Sequence, residues 1–162
     1  MALALAMKGR FQEAYESLNK SLELDSSATE TVLSAGIVSY LGHDYRKALS
    51  AFRKIVEVNP DFCYIYINAG YVLVREGKLE RAEKCFKKAI ECYPTSQAAY
   101  EGLAFSRYLA GRLAGARDAG QQAGAIASYP PLTLLIANID QLEGKERSAL
   151  RGAHLYSRQI KK

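Results

Sequence analysis

A helix–turn–helix pattern recurs along this chain at a step of 34 residues, and that recurrence limits the fold more than any other feature. Pro60 and Pro94 stand one step apart, as do Gly36 and Gly70, Ala48 and Ala82, and Phe52 and Phe86. Gly77 steps forward onto Gly111, and Ala82 and Ala89 onto Ala116 and Ala123. Backwards, Tyr45, Ala48 and Phe52 fall onto Phe11, Ala14 and Leu18. Gly144 and Ala149 carry a further copy, one residue short. The best-formed unit is Cys63–Pro94: apolar residues at helical spacing fill its first half (Ile67, Gly70, Tyr71, Val74) and its second (Leu79, Ala82, Phe86, Ala89, Ile90). Gly77 turns between the halves and Pro94 stops the second. One such hairpin cannot bury both of its faces, whereas stacked copies can.

The small residue in mid-helix, the turn before Tyr45 or Leu79, the runs Ala48-Phe52-Ile55 and Ala82-Phe86-Ala89, and the closing proline together resemble the tetratricopeptide repeat family. The resemblance is close over 29–62 and 63–96. It weakens over 97–129, where Gly120 replaces the aromatic and Ser128 the proline, and residues 1–28 supply only the end of a first helix before a full second one. It implies an all-α, right-handed α-solenoid of about four and a half repeats. The whole of 1–162 is then one solenoid, with units near 1–28 (partial), 29–62, 63–96, 97–129 and a capping 130–162. Helices are expected at 2–8 (two turns at most), 11–24, 29–41, 45–58, 62–75, 79–92, 96–109, 112–128 (interrupted by Gly115, Gly120 and Gly124), 132–142 and 146–160, with Ser26, Ser27 and Thr29 as candidate caps of the 29–41 helix.

Composition agrees with a helical protein and narrows the chemistry. Apolar residues make up 49% and charged residues 24%, and no apolar run reaches the length of a membrane span. The odd count of three cysteines argues against a disulfide framework. Cys85 and Cys92 lie about 10 Å apart along one helix, out of bonding reach. The cysteines read as packing residues, and the default compartment is the reducing cytoplasm. His43 and His154 have no ligand partners at metal spacing, and neither a phosphate loop nor a nucleophile elbow is present. No catalytic residue, metal site or cofactor is therefore predicted.

The net charge of +5 is uneven: 14 basic and 13 acidic side chains in 1–111 give +1, and 8 against 4 in 112–162 give +4. Arg147, Arg151 and Arg158 share a face of the last predicted helix and form a candidate patch for an acidic partner. Nucleic acid is disfavoured, because Tyr156 is the one aromatic near these charges and lies on another face. Ala116, Gly120 and Gly124 recur at every fourth position, which suits close backbone packing against the next helix or a soft point in the superhelix. The apolar opening Ala2, Leu3, Leu5 and Met7 is a poor outer face for a terminal repeat. It points to a longer array or to self-association through this edge.

By the resemblance, the first helix of each hairpin lines a concave surface. The residues at the matching places are Leu33, Ile37, Tyr40 and Leu41; Tyr64, Ile67, Asn68, Tyr71 and Arg75; Glu101, Phe105 and Tyr108; and Leu134, Asn138 and Gln141. Chaperone-binding members grip a C-terminal carboxylate with asparagines and basic side chains. Here Asn68 matches that clamp, while Leu33, Ile37, Ala98 and Gly102 do not, so the clamp is not expected. Tyrosines and aliphatics suit an apolar or amphipathic segment instead. The expectation is a non-catalytic interaction scaffold with a protein or peptide partner. The alternatives are an assembly factor or secretion-type chaperone that shields a client, and a self-assembling scaffold.

Overall fold

A computed structural model describes residues 1–24, 28–126 and 137–144. Its helices are α1 (Ala2–Met7), α2 (Phe11–Leu24), α3 (Thr29–Leu41), α4 (Tyr45–Val58), α5 (Tyr64–Arg75), α6 (Leu79–Cys92), α7 (Gln97–Leu109) and α8 (Leu113–Ile126). Residues 137–144 are also helical, and no strand occurs among the described residues. Consecutive helices pair as hairpins, α1 with α2, α3 with α4, α5 with α6 and α7 with α8, and the pairs stack in chain order. The bounds of α2, α3, α4 and α6 fall where periodicity placed them. Ser26 and Ser27 lie outside the described residues; Thr29 is the first residue of α3 rather than its cap, a place held by Ala28 with no side-chain bond.

The four hairpin turns among the described residues are built the same way. Gly9, His43, Gly77 and Gly111, one step of the repeat apart, each carry a positive φ, of 76°, 62°, 72° and 71°. The next residue sends its N–H back five positions: Arg10 to Leu5 O, Asp44 to Ser39 O, Lys78 to Leu73 O and Arg112 to Arg107 O, at 2.8–3.0 Å. This is a Schellman ending, which satisfies the last carbonyls of the first helix and reverses the chain. Glycine enters it without strain, whereas His43 takes the same backbone with a side chain. Asp44 then caps α4 by accepting the Lys47 N–H at 3.1 Å.

The core is made of aromatics pressed onto glycines. A Cβ at Gly36 would lie 2.3 Å from the Phe52 ring, and one at Gly70 2.6 Å from the Phe86 ring. Bare backbone at these two places lets the paired helices close. Phe86 also faces the next hairpin, where a Cβ on Gly102 would stand 2.2 Å from its ring. Phe86 is thus held between α5 and α7 and is fully buried, with Ala82, Ala89, Ala99 and Leu103 around it.

Cys63 and Cys92 are joined by a disulfide, with their Cα atoms 6.1 Å apart. This corrects the reading of all three cysteines as packing residues. In an antiparallel pair the start of α5 and the end of α6 meet, so a separation of 29 residues becomes bonding distance. Cys85, on the same helix as Cys92, is the free cysteine among the described residues.

At the far end, Arg117 of α8 reaches Asp140 and Glu143, with Glu143 at 2.7 Å, and Ile139 is fully buried. Ala116, Ala119, Gly120 and Ala123 are buried on α8. No described helix is long and apolar enough to cross a membrane.

Candidate functional site

The first helices present the side chains that sequence assigned to a concave surface, and the structure sorts them into three kinds. On α5, Tyr64, Asn68, Tyr71 and Arg75 follow one another at four, three and four residues, which keeps them on one stripe. Tyr64, at the open end of that stripe, is 51% exposed. On α7, Phe105 is 42% exposed. Leu109, four residues on and absent from the predicted set, is 47% exposed. It occupies the place of Arg75 in the next repeat, a relation the 34-residue step already contained. Asn138 and Gln141 are exposed on the 137–144 helix.

A second group is present at the surface but already engaged. The Tyr71 hydroxyl donates to Ala98 O at 3.3 Å, and its ring meets Phe86 edge-on at 5.2 Å between centroids. Tyr71 therefore ties α5 to α7 while showing one edge outward. The Tyr40 ring lies 6.1 Å from Tyr45. The Tyr45 hydroxyl accepts from Arg75 Nε at 3.5 Å and lies 3.0 Å from His43 Nδ1. The bond to the Tyr45 hydroxyl pushes the Arg75 guanidinium pKa above its ordinary value. Leu33, Ile37, Glu101 and Tyr108 are half-buried, and Gln97 Nε2 donates to Glu101 at 2.6 Å.

Ile67 is the third kind. It is 3% exposed and belongs to the core with Leu73 and Leu103, so it cannot contact a partner in this conformation. Its spacing matched the groove stripe within one residue, but that one residue turns it about 100° inward. Leu134, Arg147, Arg151 and Arg158 lie outside the described residues.

Asn68 is singular. Its side-chain Nδ2 is buried with no hydrogen-bond partner among the described residues. An orphaned amide donor costs about 1–3 kcal/mol. In the next repeat the same place is Gly102, which admits the Phe86 ring.

The two joints between hairpins differ accordingly. Between α6 and the α7–α8 pair, the buried Glu83 carboxylate accepts from Arg107 Nε and Nη2 at 3.0 and 2.9 Å. Lys87 lies at 3.0 Å and Arg112 at 2.8 Å. Arg107 Nη1 also donates to Gly115 O at 3.0 Å. Burial pushes the Glu83 carboxyl pKa up, but the bonds from Lys87 and Arg107 and the charges of Arg107 and Arg112 outweigh it and hold it below the ordinary value. One repeat earlier, the places of Glu83, Arg107 and Arg112 are Leu49, Leu73 and Lys78, and no ion cluster forms. Among the described residues no group of acids, histidines and cysteines is gathered as a metal site.

Comparison with known proteins agrees with this architecture. Residues 63–96 match the tetratricopeptide repeat family model. The chain is 30% identical over 104 residues to the photosystem I assembly protein Ycf3 of Prochlorococcus marinus, covering 58% of this chain and 60% of that protein. It is 32% identical over 98 residues to human tetratricopeptide repeat protein 6, covering 58% of this chain and 19% of that one. The chain spans 11% to 60% of the length of these and similar curated relatives. Among solved structures, Pseudomonas aeruginosa PilF superposes with a TM-score of 0.79 at 19% identity, over 97% of this chain and 72% of PilF. MamA of Desulfovibrio magneticus RS-1 gives 0.78 at 17% identity, over 93% and 85%. The matched unit is a tetratricopeptide repeat, and the fold of the described residues is the all-α solenoid of stacked helical hairpins that these solved structures share.

Proposed function

We propose that this chain is a non-catalytic adaptor whose residues 1–162 act as one right-handed solenoid and hold an apolar or amphipathic segment against the concave face. The observation that carries the reading is the exposure of Tyr64 and Phe105 on successive first helices, with Leu109 beside them. Large apolar side chains left in water at the mouth of a packed array are the anchors that interfaces use. Ile37, Tyr71 and Phe105 stand at the same register of three consecutive units and supply a continuous stripe. Asn68, with its unmatched donor, is the polar group within that stripe that a partner's carbonyl would satisfy after a small side-chain rotation.

A selection of displayed peptides on the purified chain tests this. Selected sequences should be apolar or amphipathic, and binding should fall about tenfold or more in Tyr64→Ala/Phe105→Glu, a change of about 1.4 kcal/mol or more. Undiminished binding in a double variant of unchanged helicity would contradict it. A second reading, an assembly factor that shields one client, is favoured by the likeness to Ycf3, named as an assembly protein. It differs in predicting a stoichiometric complex with a single client whose yield falls when this chain is removed.

A further inference from the structure

The α3–α4 and α5–α6 hairpins leave an open furrow of about 670 Å3 between α4 and α6, floored by α5. Its walls are Arg46, Leu49, Arg53 and Val56 of α4 and Arg81 and Cys85 of α6, with Tyr66, Ala69 and Leu73 below. The volume is that of a ligand-sized site. It lies away from the concave stripe: at 3.6 residues per turn, the α5 residues that floor it point about 160° from Tyr64, Asn68, Tyr71 and Arg75.

Two observations say what would fill it. The first is charge. Arg46, Arg53, Lys78 and Arg81 border the furrow against one acid, Glu76, and Glu76 is taken by Lys78 at 3.0 Å. Arg46, Arg53 and Arg81 make no ion pair with any described residue. The second is contrast with the neighbouring joint. There Glu83 pairs with Arg107 and Arg112 internally, and Phe86 fills the gap against Gly102. Here Leu49 and Leu73 take the places of Glu83 and Arg107, Asn68 takes that of Gly102, and the cations are left at the rim over an apolar floor.

We propose that this furrow is a second docking surface, for an acidic peptide segment of a partner protein whose carboxylates meet Arg46, Arg53 and Arg81 while one or two aliphatic side chains enter between Leu49, Val56 and Leu73. Arg46 and Arg53 are seven residues apart on one face, about 10 Å along the helix, so carboxylates two helical turns apart match them. The pairing is charge-assisted and partly desolvated by the apolar floor, which gives it specificity as well as attraction. The chain would then hold two partners, or two parts of one, on opposite sides of α5.

Cys85 reports occupancy, since its half-buried free thiol lines the furrow. The probe is a fluorescein-labelled peptide of repeated Glu-Glu-Leu-Leu, followed by anisotropy and by the rate of Cys85 alkylation. Saturable binding is expected, with slower alkylation on addition of peptide. Affinity should fall about tenfold in Arg53→Glu/Arg81→Glu, a loss of about 1.4 kcal/mol. It should fall comparably when the peptide's Glu is replaced by Gln, and stay unchanged in Phe105→Glu, which separates this surface from the concave groove. All of these sites are exposed, so circular dichroism should report intact helices. Equal affinity for the Gln peptide, equal affinity in the double arginine variant, or unprotected Cys85 would each overturn the proposal. So would binding of inorganic phosphate or phosphatidylserine vesicles in place of the peptide.

Discussion

Phe86 and Gly102 belong to different hairpins, yet a Cβ on Gly102 would stand 2.2 Å from the Phe86 ring. That contact makes α6 and α7 one packed unit and fixes the α5–α6 and α7–α8 hairpins against each other. Gly102→Ala forces a fully buried ring to move, so it should destabilise the fold by about 1–3 kcal/mol by overpacking. Phe86→Leu should relieve part of that cost. Urea unfolding of the two single variants and the double variant gives the coupling; strict additivity would show that the residues do not touch.

Glu83 predicts an acid dependence. Its carboxyl pKa is lowered from 4.5 in the native state, so its contribution is fully present above the unfolded value and is lost as pH falls through the native one. Glu83→Gln removes the charge that Lys87, Arg107 and Arg112 surround. At neutral pH it should cost about 2 kcal/mol, as for hydrogen bonds to a charged group. The gap between wild type and variant should close on acidification below the ordinary carboxylate range. A gap independent of pH would assign the loss to packing.

His43 is the exception among the turn residues, with φ of 62° where the other turns place glycine. His43→Gly should raise stability by roughly 0.5 kcal/mol, the relief of backbone strain being offset by the lost Tyr45 contact and a freer unfolded chain. Chemical denaturation midpoints measure it, and a marked loss would show that the bond to Tyr45 dominates.

The Cys63–Cys92 bond closes a span of 29 residues. Chain entropy predicts that reduction, or Cys63→Ser/Cys92→Ser, lowers stability by about 3.6 kcal/mol. Thiol titration of the unfolded, unreduced chain should then find one free cysteine, Cys85; three would show that the bond does not form.

Much of the fold could be read from residues because it is set locally. The spacing of Ala82, Phe86 and Ala89, the turn at Gly77 and the stop at Pro94 act within one hairpin, and the hairpin repeats. What stayed hidden depends on how hairpins meet. Cys63 and Cys92 look remote until antiparallel helices bring their ends together. Glu83 looks like a solvated acid until α7 supplies Arg107. Ile67 and Asn68 are adjacent in sequence, yet one enters the core and the other stays on the groove stripe, because the superhelix sets which face is outermost. The furrow is likewise a product of the joint: it follows from Leu49, Leu73 and Asn68 standing where the next joint has Glu83, Arg107 and Gly102.

The concave groove is the centre of this account, and amide chemical-shift mapping tests it most directly. Titrating the labelled chain with a peptide selected on it should perturb Tyr64, Asn68, Phe105 and Leu109 most strongly, with the Asn68 side-chain amide shifting as its Nδ2 gains an acceptor. Asn68→Ala should weaken that peptide while raising stability by about 1 kcal/mol, since the orphaned donor is gone. Shifts confined to other surfaces, with Tyr64, Asn68 and Phe105 unmoved at saturation, would contradict the groove as the binding site.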